Sequence, residues 1–180
     1  MEKTIPNDTK PRKALFLDRD GVINRDHGYV HTPEQFEFMP GIFELLKAAR
    51  AAHYLPIVIT NQSGINRGYY TRSDFERLSR WMLARLLEKG APIGGVYYCP
   101  HRPDEACHCR KPEAGLFEQA ISDRRIDPAR SVMIGDKLSD LEAAQKVAIP
   151  TRILLGSEEK SSDEACTHTA KTLLDIIALI

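Results

Sequence analysis

The stretch Ala14-Leu15-Phe16-Leu17-Asp18-Arg19-Asp20-Gly21-Val22-Ile23-Asn24 decides the fold. Four apolar residues bounded by charge on both sides read as a short, fully buried strand. That strand runs straight into two acidic residues and a glycine, which sets two carboxylates at its C-terminal edge. Open α/β sheets bind ligands at that edge. Residues two apart in an extended segment point the same way, so Asp18 and Asp20 converge on one site. Two crowded carboxylates repel, and a metal ion or a retained proton relieves them. The same four residues also make an ordinary capping turn, so the rest of the chain has to decide between the two.

Length and composition narrow the classes. A chain of 180 residues, 42% hydrophobic and 28% charged, has the make-up of one globular domain with a real core. Lys plus Arg equals Asp plus Glu at 25 each, so no global field recruits nucleic acid or membrane. An anionic substrate must therefore be held by locally placed cations. Residues 1–12 form a polar leader without the apolar centre of a signal peptide, and the apolar tail 172–180 is too short to span a bilayer. Of four cysteines, three fall between 99 and 109, the arithmetic of a metal site rather than a disulfide framework. A reducing cytoplasm is the matching compartment.

Strands and helices alternate along the chain. The polar loop Arg25-Asp26-His27-Gly28-Tyr29-Val30-His31 follows the first strand, where substrates are usually contacted. The spacing of Ile42, Leu45, Leu46 and Ala49 predicts a helix over 42–53. A second buried strand, Pro56-Ile57-Val58-Ile59-Thr60, ends in the hydrogen-bonding run Asn61-Gln62-Ser63-Gly64. A helix over 73–89 is expected to start at Ser73 with Glu76 completing a capping box and to stop at Gly90; Trp81 belongs to its core face. Strands at 94–98, 131–135 and 151–155, and helices at 113–123, 138–147 and 169–180, complete the pattern. Residues 156–165 are polar and read as a mobile surface loop. The alternation predicts a parallel sheet with right-handed crossovers, which gathers Asp18, Asp20, Thr60, Lys111 and Asp136 on one edge.

Cys99, His101, Cys107 and Cys109 supply the Cys3His set of a closed, four-coordinate structural zinc site. Their spacing is tighter than a zinc finger's, and soft thiolates favour zinc over hard cations. His108, held between two of the thiols, cannot easily reach the same ion. Cys166 stands apart and reads as a small, partly buried residue. Arg110 and Lys111 follow at once, one a planar fork and the other a compact point charge, both suited to phosphate.

The order Asp-x-Asp-Gly, strand-end Thr60, Lys111, then Gly135-Asp136 with Asp140 behind it resembles the haloacid dehalogenase-like (HAD) phosphohydrolases. Closer still, the 26–31 loop, the 60–64 turn, the Cys-x-His…Cys-x-Cys-Arg-Lys-Pro loop and Gly135-Asp136-Lys137 resemble the D-glycero-D-manno-heptose 1,7-bisphosphate 7-phosphatases. Histidinol-phosphate phosphatases share that cysteine loop, and Val22 stands where many members of the superfamily carry Thr. The resemblance implies a three-layer Rossmann-like fold with a central parallel sheet, no large cap domain and a small zinc-binding loop. It implies a Mg2+-dependent sugar bisphosphate phosphatase in heptose precursor synthesis for lipopolysaccharide core or surface glycans.

The residue roles follow the same resemblance. Asp18 is the expected nucleophile and Asp20 the acid–base group. Mg2+ is expected at Asp18, the Asp20 carbonyl and Asp136, with Asp140 behind them, while Thr60 and Lys111 grip the phosphoryl group. Arg110 is expected on the second phosphate, and Asp26, His27, Gly28, Tyr29, Asn61, Gln62, Ser63 and Lys137 around the sugar. A monomer with a small-molecule substrate is expected. Two other classes remain open on these residues: a non-catalytic phosphate-binding domain of the same fold, and a zinc-centred interaction module.

Overall fold

The computed structural model describes residues 10–156 and 161–180. Six strands, β1 (Ala14–Leu17), β2 (Leu55–Asn61), β3 (Gly95–Cys99), β4 (Val132–Gly135), β5 (Thr151–Leu155) and β6 (His168–Ala170), form one sheet in the order β3-β2-β1-β4-β5-β6. Every neighbouring pair is parallel. The connections carry α1 (Ile42–Ala51), α2 (Arg72–Glu88), α3 (Gly115–Arg124) and α4 (Leu138–Lys146), and a short α5 (Leu173–Ile176) follows β6.

Strand parity divides the core in two. Leu15 and Leu17 of β1 face a cluster with Leu45 and Leu46 of α1 and Leu78 and Met82 of α2. Ala14 and Phe16 face the opposite layer, with Leu116 and Phe117 of α3 and Leu141 and Ala144 of α4. The Phe16 and Phe117 rings lie 5.1 Å apart between centroids. Because both faces are covered, all four residues of β1 are fully buried, as its unbroken apolar run requires. Trp81 packs edge-on to Phe36 at 5.5 Å and stacks on Phe38, which makes it a core residue.

The chain lays β2 and β3 to one side of β1 and then returns to place β4, β5 and β6 on the other. The strand order therefore reverses between β1 and β4. A crevice opens at such a switch point because the two sets of connections diverge from it. Among the described residues no cap domain stands over that crevice.

Two boundaries differ from the sequence expectation. The α2 cap is Thr71 with Asp74, not Ser73 with Glu76: Thr71 Oγ1 accepts from Asp74 N at 3.1 Å and Asp74 Oδ2 accepts from Thr71 N at 2.8 Å. Both pairs have capping-box spacing, and the upstream one wins because Tyr70 is buried and delivers the chain to Thr71. The expected helix over 169–180 begins later: β6 takes its first residues, and helical structure runs from α5, capped by Thr172 and Asp175, through a 3-10 turn to Leu179. Three residues carry no readable period. Pairing of His168–Ala170 with β5, and the bond from Thr167 N to Arg152 O at 2.9 Å, override helix propensity there. The leader at 1–12 and the loop at 156–165 include residues 1–9 and 157–160, which lie outside the described residues.

Candidate active site

Three strand ends build the site. β1 continues into Asp18, Arg19 and Asp20, β2 ends in Thr60 and Asn61, and β4 runs into Asp136. Gly21 permits the convergence: its φ is +88°, and a Cβ there would collide with the Asp136 carboxylate. Asp18, Asp20 and Asn61 border a cavity of about 510 Å3 that also meets Asp26, Tyr29, Ser63, Arg110, Lys111 and Lys137, while Thr60 and Asp136 stand behind its lining.

Lys111 is the centre of the arrangement. Its side chain is 2% exposed, and Nζ lies 2.8 Å from Asp18 Oδ1 and 2.7 Å from Asp140 Oδ1. Nζ also donates to Ile59 O at 2.7 Å. The main chain of Lys111 is clasped by Asn61, whose Nδ2 donates to Lys111 O and whose Oδ1 accepts from Lys111 N, both at 3.1 Å. Burial by itself would lower the Lys111 ammonium, but Asp140 and Asp18 carry it well above the ordinary lysine range. For Asp18 burial dominates and pushes the carboxyl up to about 7, against the pull of Lys111 and with repulsion from Asp140 and Asp20 added.

Asp20 is held separately. Arg19, 1% exposed, places NH2 2.8 Å from Asp20 Oδ1 and donates from the same nitrogen to Val30 O. Asn24 Nδ2 donates to Oδ1 at 3.0 Å, and Gln62 Nε2 donates to Oδ2 at 2.9 Å. Arg19, Asn24 and Tyr70 were not among the expected site residues. Arg19 has the wrong parity in an extended strand, and only the bend after β1 returns it to Asp20. Nothing in the local pattern marks Asn24 or Tyr70.

Asp18, Asp136 and Asp140 each present an oxygen within 4.8 Å of the others. Asp140 is already committed to Lys111 and accepts from Lys137 N at 3.2 Å, so its position supports the Lys111 pair. Asp136 Oδ1 is a buried oxygen with no hydrogen-bond partner, and burial raises its carboxyl above the ordinary range. An unsatisfied buried oxygen beside a second carboxylate is a set that fits a hard cation.

The second donor set is soft. Cys99 Sγ lies 3.4 Å from His101 Nδ1 and 3.5 Å from Cys107 Sγ, and Cys109 Sγ lies 3.2 Å from His101 Nδ1 and 3.5 Å from Cys107 Sγ. Zinc bond lengths of about 2.0–2.3 Å imply tetrahedral edges of roughly 3.5–3.8 Å, so the four donors need only a slight expansion to enclose an ion. Burial pushes the Cys99 thiol up, while contacts with Cys109 and Cys99 bring Cys107 down against its own burial. His108 turns away to Glu118, with Nε2 and Oε2 2.8 Å apart. Cys166 donates to His168 O.

The remaining expected residues are placed unequally. Arg110 borders the cavity and donates to His101 O at 3.2 Å, so the cysteine loop aims it. Lys137 reaches toward Asp26 at 3.4 Å and Asp136 at 3.6 Å, and these neighbours raise its ammonium against partial burial. Gly28, Tyr29 and Ser63 border the cavity, but His27 does not: it faces Glu37, 3.4 Å away, beside a smaller hollow. Asn61 and Gln62 line the cavity while their amides are spent on Lys111, Asp20 and Thr60.

Fold and site together define a phosphohydrolase of the HAD class. A family model described as HAD-hydrolase-like matches residues 108–177. The chain is 48% identical over 176 residues to D-glycero-beta-D-manno-heptose-1,7-bisphosphate 7-phosphatase of Haemophilus ducreyi, covering 94% of this chain and 97% of that one. It is 52% identical over 144 residues to the same-named protein of Helicobacter pylori, covering 79% and 83%. It is also similar to D-glycero-alpha-D-manno-heptose-1,7-bisphosphate 7-phosphatase of Burkholderia mallei, 47% identical over 156 residues and covering 83% and 82%. The crystal structure of D,D-heptose 1,7-bisphosphate phosphatase from B. bronchiseptica, complexed with magnesium and phosphate, superimposes with a TM-score of 0.83 at 27% identity, over 93% and 97% of the chains. The chain belongs to the heptose-1,7-bisphosphate 7-phosphatase family of HAD-like hydrolases.

The Asn61 clasp spans 50 residues of sequence and sets where Lys111 enters the site. Asn61→Ala removes both bonds, which at about 0.5–1.5 kcal/mol each gives an expected loss of about 1–3 kcal/mol in a denaturant titration. Turnover should fall with it. Unchanged stability would show that the ion pairs alone position Lys111.

Proposed function

We propose that the protein removes the 7-phosphate of D-glycero-D-manno-heptose 1,7-bisphosphate through an aspartyl-phosphate on Asp18, in the supply of heptose precursors for lipopolysaccharide core or surface glycans. One observation carries the reading. A single cavity joins a buried Asp18–Lys111 pair at its floor to Arg110 and Lys137 near its mouth. That arrangement offers cationic charge at two separated places, as a substrate with two phosphates requires.

The steps follow from the residues. Asp18 attacks phosphorus, forming one O–P bond as the bond to the sugar oxygen breaks. Asp20 gives its proton to the departing alkoxide, then takes one from the water that cleaves the aspartyl-phosphate and releases inorganic phosphate. Lys111 and Thr60 hold the phosphoryl oxygens, where developing charge is stabilised by groups already in place. Asp18, the Asp20 main-chain carbonyl and Asp136 would hold Mg2+, which would supply further charge neutralisation. Cys99, His101, Cys107 and Cys109 would hold Zn2+, which would stiffen the loop that carries Arg110 and Lys111. Asp26, Gly28, Tyr29, Asn61, Gln62, Ser63 and Lys137 surround the sugar.

All these groups lie at one edge of one sheet, which supports a single domain, and a monomer is part of the proposal. No helix is long and apolar enough to cross a membrane among the described residues. A closed thiolate set at metal-ligand spacing needs a reducing compartment, which supports a cytoplasmic site.

Asp18→Asn should abolish phosphate release while leaving the fold intact by circular dichroism, since an amide cannot serve as the nucleophile. Asp20→Asn should slow release by about 10²–10⁴-fold, the usual cost of losing acid–base catalysis. More than a few per cent of activity in Asp18→Asn would rule out the aspartyl-phosphate.

Elemental analysis should find about one zinc per chain, as a closed four-ligand set implies. Asp18→Ala should leave that content unchanged, and Cys107→Ala should lower both zinc content and activity. Absence of zinc from the purified protein would end the structural-zinc reading.

Arg110→Ala should lower kcat/KM for the bisphosphate by one to two decades, because a charge-assisted hydrogen bond is worth roughly 1.5–3 kcal/mol. A simple sugar monophosphate should hardly respond. The bisphosphate should be preferred over histidinol phosphate by at least about tenfold, because Arg110 repels the ammonium of the latter. Equal losses on both sugar phosphates would reassign Arg110 to the reacting phosphate, and a preference for histidinol phosphate would overturn the substrate.

A further inference from the structure

Gln62 is 2% exposed and uses every hydrogen-bonding atom of its amide inside the protein. Nε2 donates to Asp20 Oδ2 at 2.9 Å and to Thr60 Oγ1 at 2.9 Å, and Oε1 accepts from Tyr70 OH at 2.6 Å. The NH2 end of the amide faces Asp20 and Thr60, and its Oε1 accepts from the Tyr70 hydroxyl. Burial pushes the Tyr70 phenol up to about 12, so it keeps its proton across the working pH range. The ring is 6% exposed and stacks on His31, with centroids 5.1 Å apart and planes within 7°. Room for it comes from Gly64, where a Cβ would run into the Tyr70 ring.

We propose that Gln62 and Tyr70 are positioning residues that aim Asp20 at the leaving oxygen and tie it to Thr60. The inference rests on the reading of Asp20 as the acid–base group. Arg19 and Asn24 hold Oδ1 of that carboxylate. Arg19 also reaches Oδ2, so its guanidinium bridges both oxygens. Asn24 bonds Oδ1 alone and Gln62 Oδ2 alone, and of these contacts Gln62 is the one that reaches across from the end of β1 to the end of β2. One amide thus keeps the proton donor and the phosphoryl-gripping hydroxyl in register. Tyr70 serves by fixing which way round that amide sits. Without its hydroxyl, Oε1 is left buried and unpaired, and the amide gains a reason to turn over.

The leaving group separates this role from a merely structural one. A sugar alkoxide needs a proton as it departs, whereas 4-nitrophenolate does not, and kcat/KM reports only steps through the first phosphoryl transfer. The magnesium-loaded enzyme and its Asp20→Asn, Tyr70→Phe and Gln62→Met variants are assayed on heptose bisphosphate and on 4-nitrophenyl phosphate. Tyr70→Phe and Gln62→Met should lose about three- to thirtyfold in kcat/KM on the bisphosphate, carried by kcat with KM nearly unchanged. On 4-nitrophenyl phosphate they should lose less than about twofold. Equal losses on both substrates, or a loss confined to KM, would overturn the positioning role. Tyr70→Phe retains the stacked ring and decides the matter where Gln62→Met melts early. Asp20→Asn losing equally on both substrates would instead overturn the acid–base reading of Asp20 itself.

Discussion

One ammonium group, Nζ of Lys111, ties the molecule's functional end together. It is buried between Asp18 and Asp140 and capped by Ile59 O. Those three contacts join the end of β1, the body of β2 and the start of α4 to the loop that follows the cysteine cluster. A buried cation between two carboxylates is not a cheap source of stability, since desolvation offsets much of the attraction. Its value is geometric. Removing it would leave two uncompensated carboxylates a few ångströms apart, so the end of β1 and the start of α4 that carry them are held to one arrangement. The same ammonium offers a positive charge to a phosphoryl group that comes to Asp18, which makes the structural pair and the chemical pair one object.

Charge is therefore local rather than global. Lysine and arginine balance aspartate and glutamate at 25 each, so the surface exerts no net pull on an anion. Binding falls to a few cations whose positions are set by secondary contacts. Lys111 is set by Asn61 and the two carboxylates, Arg110 by the His101 carbonyl, and Lys137 by Asp26 and Asp136. The cysteine loop matters for the same reason. In a site with no cap domain among the described residues, a metal-clamped loop is what can hold a guanidinium at a fixed distance from the floor. Its link to the neighbouring strand end, Gln62 N to Cys99 O at 2.7 Å, joins that loop to the Gln62 amide.

The two acidic residues of the opening motif live in different surroundings despite standing two apart. Asp18 is buried and paired with a single ammonium. Asp20 is ringed by the donors of Arg19, Asn24 and Gln62 and keeps access to the cavity. A difference of this kind is how one short motif supplies two separate chemical roles.

Much of this could be read from the chain. An unbroken apolar run ending in Asp18-Arg19-Asp20-Gly21, repeated in kind before Thr60 and before Asp136, implies a parallel sheet covered on both faces. Parallel topology alone brings the three strand ends to one edge. The Cys99, His101, Cys107 and Cys109 donor set was legible too, because it sits within eleven residues and short-range spacing is a local property. What the sequence could not show depends on contacts between distant segments. The three-residue β6 exists because β5 offers it an edge, not because His168-Thr169-Ala170 prefers to be extended. The α2 cap went to Thr71 rather than Ser73 through the burial of Tyr70. Arg19 bends back to Asp20 against strand parity, His27 swings to Glu37, and Tyr70 reaches Gln62 through space that Gly64 leaves open. Local period and residue type determined the layers and the ligands. Tertiary packing decided which side chains orient them, because hydrogen-bond direction and burial are settled only when segments far apart in the chain meet.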